Sequence, residues 1–160
     1  MKTLAIMIGI QGSGKSTFCA RYLSGLVRVN LDTLKTRNNE KRLIEKCFEE
    51  GVGFVVDNTN PTRADRARYI APAKARGYRV IGYFMQSRLG DCIRRNNLRQ
   101  GKERIPEKGI AATFRKLELP GREEGFDELY LVENDGADMT VSKWEEKTDS
   151  DAPRPKDPRP

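Results

Sequence analysis

Residues 9–16 read Gly9-Ile10-Gln11-Gly12-Ser13-Gly14-Lys15-Ser16, between the apolar run Leu4–Ile8 and a segment of helical character from about Lys15 to Ser24. Every fixed position of the pattern GxxxxGK[ST] is filled, and the stretch lies between a strand and a helix, where that pattern has a mechanism. Gly9, Gly12 and Gly14 let the backbone aim successive N–H groups inward, and the helix that follows adds the positive end of its dipole. The Lys15 ammonium can then reach β- and γ-phosphates, and the Ser16 hydroxyl can bind Mg²⁺. Ser13 and Thr17 complete the loop and the first helical turn. ATP and Mg²⁺ are therefore the expected cofactors, in preference to a glycine-rich turn that only joins strand to helix.

The remaining chain alternates short apolar runs with amphipathic segments, the pattern of a parallel sheet flanked by helices. Strands are expected at Leu4–Ile8, Leu26–Val29, Val52–Val56, Tyr78–Phe84 and Glu128–Val132. Helices are expected at Asn39–Glu50, ended by Gly51, and from Thr62, paired with Asp65 in a capping-box pattern, to Gly77. Pro72 should kink or shorten the second of these. A basic helix from about Leu89 to Arg99 and another at Glu107–Leu117 follow. The fold class is α/β: a kinase-like P-loop NTPase with about five parallel strands and an arginine-bearing lid helix. Residues 1–148 form one domain, and 149–160, with four prolines, an extended and disordered tail. Right-handed crossovers bring the strand ends to one sheet edge, where ligands bind.

Composition removes several chemistries. The chain has no histidine, so it offers no Ser/His or Cys/His nucleophile pair, no imidazole base and no His-bearing zinc site. Cys19, Cys47 and Cys92 are odd in number and widely spaced, which suits buried thiols of a reducing, cytoplasmic compartment. The apolar start imitates a secretory signal but runs straight into the phosphate loop with no cleavage site, so a soluble chain is expected.

The net charge of +7 is unevenly spread: residues 60–104 carry 12 basic and 3 acidic groups, residues 105–148 carry 6 and 11. Such asymmetry suits a polyanion, either nucleotide phosphates or a nucleic acid backbone, although a solvated helix face gives the same pattern. Arg95 and Arg99, four apart and flanked by Arg94, repel one another unless an anion sits between them. They fit a lid over the transferring phosphoryl group, with Gln100–Arg104 as its hinge. Without histidine, a carboxylate must serve as base. Asp32 and Asp57 both follow strands toward the phosphate-loop edge, and spacing alone leaves open which binds metal and which accepts a proton. Asp32 could equally cap a helix, and Asp57 could be a turn residue of Asp-Asn-Thr-Asn-Pro.

Residues 9–17, Val-Asn-Leu-Asp-Thr-Leu (29–34), Val-Asp-Asn-Thr-Asn-Pro (56–61), Arg-Ala-Arg-Tyr (66–69) and Arg-Arg-Asn-Asn-Leu-Arg (94–99) together resemble the kinase domain of polynucleotide 5′-hydroxyl kinases, phage and animal DNA-repair types alike. The resemblance covers about residues 3–132. It implies transfer of the ATP γ-phosphoryl to a 5′-OH end of DNA or RNA. By it Asp32 is the general base, Asp57 lies in the metal shell with Ser16, Asn58 and Thr59 approach the acceptor, and Arg95 and Arg99 hold ATP phosphates. Two positions depart: Leu31 stands where family members often have Arg, and Lys35 where the phage type has Arg, with Arg37 a possible substitute. No Asp-x-Asp-x-Thr phosphatase nucleophile follows a strand. A small-molecule kinase of the same fold and a nucleotide-dependent switch are the alternatives.

Overall fold

In the computed structural model, residues 2–86, 88–101 and 104–145 are described. Strand β1 (Thr3–Ile8) is buried from Leu4 onward and occupies the sheet interior. Beside it run β3 (Phe54–Val56), paired Leu4 with Phe54, and β4 (Arg79–Gln86), paired Ile8 with Phe84, both parallel. With β2 (Val27–Val29), β5 (Glu128–Asn134) and β6 (Met139–Lys143) the order is β2-β3-β1-β4-β5-β6.

A strand covered on both faces needs no polar alternation, which is why β1 and β3 read as continuous apolar runs. Leu4, Ile6, Ile8, Phe54, Val56 and Phe84 face Cys47, Tyr69, Ile70 and Ala73 of helices α3 (Arg37–Glu50) and α4 (Arg63–Ala75). Ala5, Met7, Val55 and Met85 face Phe18 and Cys19 of helix α1 (Lys15–Tyr22). A third cluster joins Ile10 of the phosphate loop to Leu89 and Cys92 of α5 (Leu89–Asn97) and Ile110 of α6 (Glu107–Lys116).

Four expectations change. The sheet has six strands, because β6 pairs antiparallel with β5; its Met139-Thr-Val-Ser-Lys sequence, largely exposed, lacks a strand's apolar face. A four-residue helix, α2 (Leu31–Leu34), follows β2. Helix α4 runs unbroken through Pro72; the bond lost to the carbonyl of Arg68, four residues back, falls on an exposed residue. Helix α5 ends at Asn97, with Leu98 as C-cap, so Arg95 and Arg99 do not share one helical face.

The capping box at Thr62 and Asp65 and the left-handed Gly51 cap are as expected. The tail 149–160, the domain limit at 148 and hinge residues Lys102 and Glu103 lie outside the described residues. Among the described residues no helix is long and apolar enough to cross a membrane, and Cys19, Cys47 and Cys92 are buried and unpaired with one another. Burial pushes the Cys19 thiol up to about 12, which leaves it unreactive.

Candidate active site at the strand ends

Four carbonyls of the phosphate loop are taken up by side-chain donors. Lys15 Nζ donates to Gly9 O and Ile10 O, both at 2.9 Å. Arg95 Nη1 donates to Gly12 O at 2.9 Å, and Asn134 Nδ2, from the end of β5, to Ser13 O at 3.0 Å. With these oxygens neutralised, the potential inside the loop is left to N–H groups and the start of α1, which favours an anion. Gly12 has φ +82°, and a Cβ there would stand 2.4 Å from the Cys92 carbonyl oxygen, so the loop closes against α5 only with glycine. Ser13 Oγ is buried without a hydrogen-bond partner. Thr17 is exposed on the first turn of α1.

Burial among the loop atoms lowers the Lys15 ammonium to about 8, opposed by attraction to Asp57 and reinforced by repulsion from Arg99. Although Arg99 lies beyond α5, its charge thus acts at Lys15. Lys15 itself stays half-buried.

Beside Lys15, Ser16 Oγ donates to Asp57 Oδ2 at 3.1 Å, and Asp57 is 2% exposed at the end of β3. Arg28 joins them: its Nε donates to Asp57 Oδ2 at 2.8 Å and its Nη2 to Ser16 Oγ at 3.1 Å. The pair therefore already holds a cationic group. A buried carboxylate oxygen and a hydroxyl are hard ligands that suit Mg²⁺, which needs few protein ligands when phosphates and water complete its shell. No group of three or more His, Cys, Asp or Glu able to hold a metal occurs among the described residues.

The segment Asp57–Pro61 is not a passive turn. Thr59 O accepts from Gly9 N at 3.0 Å, fastening the start of the phosphate loop. Asn60, left-handed at φ 44°, donates from Nδ2 to Met7 O at 2.7 Å. Arg66, fully buried, donates to Asn60 O and is paired with Glu124 at 2.9 Å.

Asp32 is exposed on α2, a helix of one turn whose start is tied at two positions to the segment just after β3. Asn30, its N-cap, accepts from Thr33 N at 3.1 Å and donates to Asp57 O at 2.6 Å. Leu31 N donates to Asn58 Oδ1 at 2.9 Å. Lys35 ends the turn at φ 77°, ψ −40°, a strained conformation for a side chain with Cβ. Both ends of the Asn58 amide are engaged, since Nδ2 donates to Glu40 Oε2 at 3.1 Å. Arg37, though exposed, spends its Nη1 on Glu40 and Tyr69.

The structure thus brings Lys15, Ser16, Asp57 and Arg95 into direct contact with the loop or one another, and joins Asp32 to them through Asn30 and Asn58. Arg28, Asn134, Glu40 and Tyr69 escaped sequence reasoning because their partners lie 12 to 121 residues away. The charge asymmetry has a structural cause. Arg63, Arg66, Lys74 and Arg79 pair with Glu123, Glu124, Asp127 and Glu128, so the basic and acidic segments answer each other in part.

A family model described as an AAA domain, AAA_33, matches residues 4–120, and the chain belongs to that family. It is 32% identical over 139 residues to a putative bifunctional polynucleotide phosphatase/kinase of Acanthamoeba polyphaga mimivirus, covering 82% of this chain and 33% of that protein. It is 28% identical over 135 residues to the bifunctional polynucleotide phosphatase/kinase of Schizosaccharomyces pombe, covering 81% and 33%. The chain spans about a third of the length of these curated relatives. Among solved structures, a gluconokinase from Sinorhizobium meliloti 1021 aligns with TM-score 0.56 at 18% identity, covering 82% of each chain, which establishes the P-loop kinase fold.

Proposed function

We propose that this member of the AAA_33 family is an ATP-dependent kinase that transfers the γ-phosphoryl group to the 5′-hydroxyl of DNA or RNA. The observation that carries the reading is the stapling of the Asp32 turn, through Asn30, to the main chain of Asp57, the residue that also binds Ser16. A proton acceptor and a phosphate cradle are thereby held at one sheet edge. Similarity to proteins named polynucleotide phosphatase/kinase supports the choice of acceptor.

In this reading Lys15 and the loop N–H groups bind the ATP phosphates, and Arg95 and Arg99 stabilise charge on the transferring group. Ser16 and Asp57 would hold Mg²⁺, which when bound neutralises phosphate charge. Asp32 takes the proton of the attacking hydroxyl. Lys35 and Thr59 line the acceptor side, with Asn58 as its frame. Buried cysteines with no disulfide among them suit a reducing cytoplasm.

Incubation with labelled ATP, Mg²⁺ and a 5′-OH oligonucleotide, wild type against Asp32→Asn, tests the proposal. Label transfer by the wild type and its loss in the variant are expected; transfer equal in both removes Asp32 as base. One observation favours a second reading, a small-molecule kinase: the pairing of four central cations with carboxylates leaves fewer for a nucleic acid track. Acceptor KM in rising salt separates the two. A polyanionic acceptor binds more weakly as salt rises, whereas a small neutral acceptor is indifferent.

A further inference from the structure

Behind the acceptor side lies a buried polar cluster that the proposed chemistry does not use. Glu40, on the first turns of α3 and 3% exposed, accepts three hydrogen bonds. Tyr69 OH donates to Oε1 at 3.0 Å, Arg37 Nη1 to Oε1 at 3.0 Å, and Asn58 Nδ2 to Oε2 at 3.1 Å. Tyr69 OH also lies 3.4 Å from Asn58 Nδ2 and accepts from Arg37 Nη1 at 2.9 Å. A buried carboxylate is tolerable only when so fully satisfied, and α3, α4 and the β3 end each supply part of the shell.

The arrangement has a direction. An Asn amide can turn over, exchanging its oxygen and nitrogen at little cost unless its neighbours forbid it. Here Glu40, which only accepts, faces Nδ2, so Oδ1 must face Leu31 N, the amide at the start of α2. Turned over, Asn58 would set an oxygen against a carboxylate and two N–H donors against each other. The same turn is held on its other side by Asn30.

We infer that Glu40 and Tyr69 are positioning residues: they lock the Asn58 amide in the orientation that captures Leu31 N–H, and so fix the turn that carries Asp32. The catalytic consequence rests on the acceptor reading given above; the clamp itself does not. Glu40→Met keeps length and removes every acceptor, freeing Asn58. Glu40→Gln has one oxygen, which can serve Asn58 or the Arg37–Tyr69 pair but not both, and should restore part of the effect. Tyr69→Phe removes one arm only.

The test is amide hydrogen exchange on the full chain. Exchange at Leu31 should accelerate by about tenfold or more in Glu40→Met, less in Glu40→Gln and Tyr69→Phe, with β1 and α1 unchanged. Unchanged exchange at Leu31, or equal acceleration throughout the core, overturns the clamp. If Glu40→Met does not fold, the other two variants carry the same test. On a 5′-OH oligonucleotide, kcat should fall roughly 10- to 100-fold in Glu40→Met with the Kd for ATP unchanged, as misplacement of a reacting group predicts. Adding Asn58→Ala to Glu40→Met should cost no more than Asn58→Ala alone; additive losses overturn action through Asn58. If exchange responds as expected while the wild type labels no oligonucleotide, the clamp stands and the acceptor reading falls.

Discussion

The phosphate loop and the Asp32 turn share one sheet edge, yet they are held in different ways. The loop is packed from several sides: Ile10 lies in an apolar cluster with α5 and α6, the Gly12 backbone abuts Cys92, and the carbonyls of residues 9, 10, 12 and 13 have donors. The turn has no fully buried residue: Leu34 packs at the margin of the core and its carbonyl accepts from Asn39, while the start of the turn is held by two hydrogen bonds, from Asn30 to Asp57 O and from Leu31 N to Asn58 Oδ1. Close packing determines a backbone to fractions of an ångström, whereas a turn held by amides is only as fixed as those amides.

If that contrast is real, damage to the loop should abolish nucleotide handling, and damage to the turn should spare it. The largest effect is expected from Lys15→Ala: phosphoryl transfer should fall by about 10³-fold with the far-ultraviolet circular dichroism spectrum unchanged, measured by labelled-ATP turnover. Asp32→Asn should lower transfer by about 10²-fold while ATP affinity, measured by titration calorimetry, stays at the wild-type value. A large loss of ATP affinity in that variant would break the contrast.

Gly12→Ala attacks the loop through packing alone. The added Cβ meets the Cys92 carbonyl at 2.4 Å and φ +82° is costly for alanine, so a loss of about 1–3 kcal/mol in unfolding free energy is expected, together with weaker ATP binding. Thermal denaturation that matches wild type would mean that α5 yields, and that the loop is less tightly determined than the turn.

The smallest effect concerns pH. With its ammonium lowered to about 8, Lys15 loses its proton above that value in the free protein, so the Kd for ATP should rise by up to about tenfold per pH unit beyond it. Lys15→Arg should bind ATP with no such dependence, since guanidinium keeps its charge. The sign for stability is opposite. Between pH 8 and 10.5 the unfolded lysine holds a proton that the folded one has released, so the nucleotide-free fold gains stability as pH rises through that window. Partial exposure of Lys15 keeps this gain small.

Legibility followed the range of the interactions. The loop could be read because its glycines, lysine and serine lie within eight residues, and β1 and β3 because a strand buried on both faces is apolar throughout. Strand β6 could not, since its pairing with β5 comes from backbone hydrogen bonds that leave no mark on largely exposed side chains. The basic segment misled in part: charge counted along a chain does not reveal that Arg66 will be buried against Glu124, 58 residues on.

The sequence by itself determined that a phosphate loop joins a buried strand to a helix, that these 160 residues offer no histidine as a base, and that Asp32 and Asp57 each follow an apolar run. Those are properties of local spacing and residue type. Only the tertiary structure decided that Arg28 sits on Ser16 and Asp57, that Asn134 and Arg95 take the loop's carbonyls, and that Glu40 and Tyr69 orient Asn58 behind the Asp32 turn. Each of these joins groups distant in sequence, and a hydrogen bond depends on a few tenths of an ångström and on direction, which only the packed sheet and helices can set.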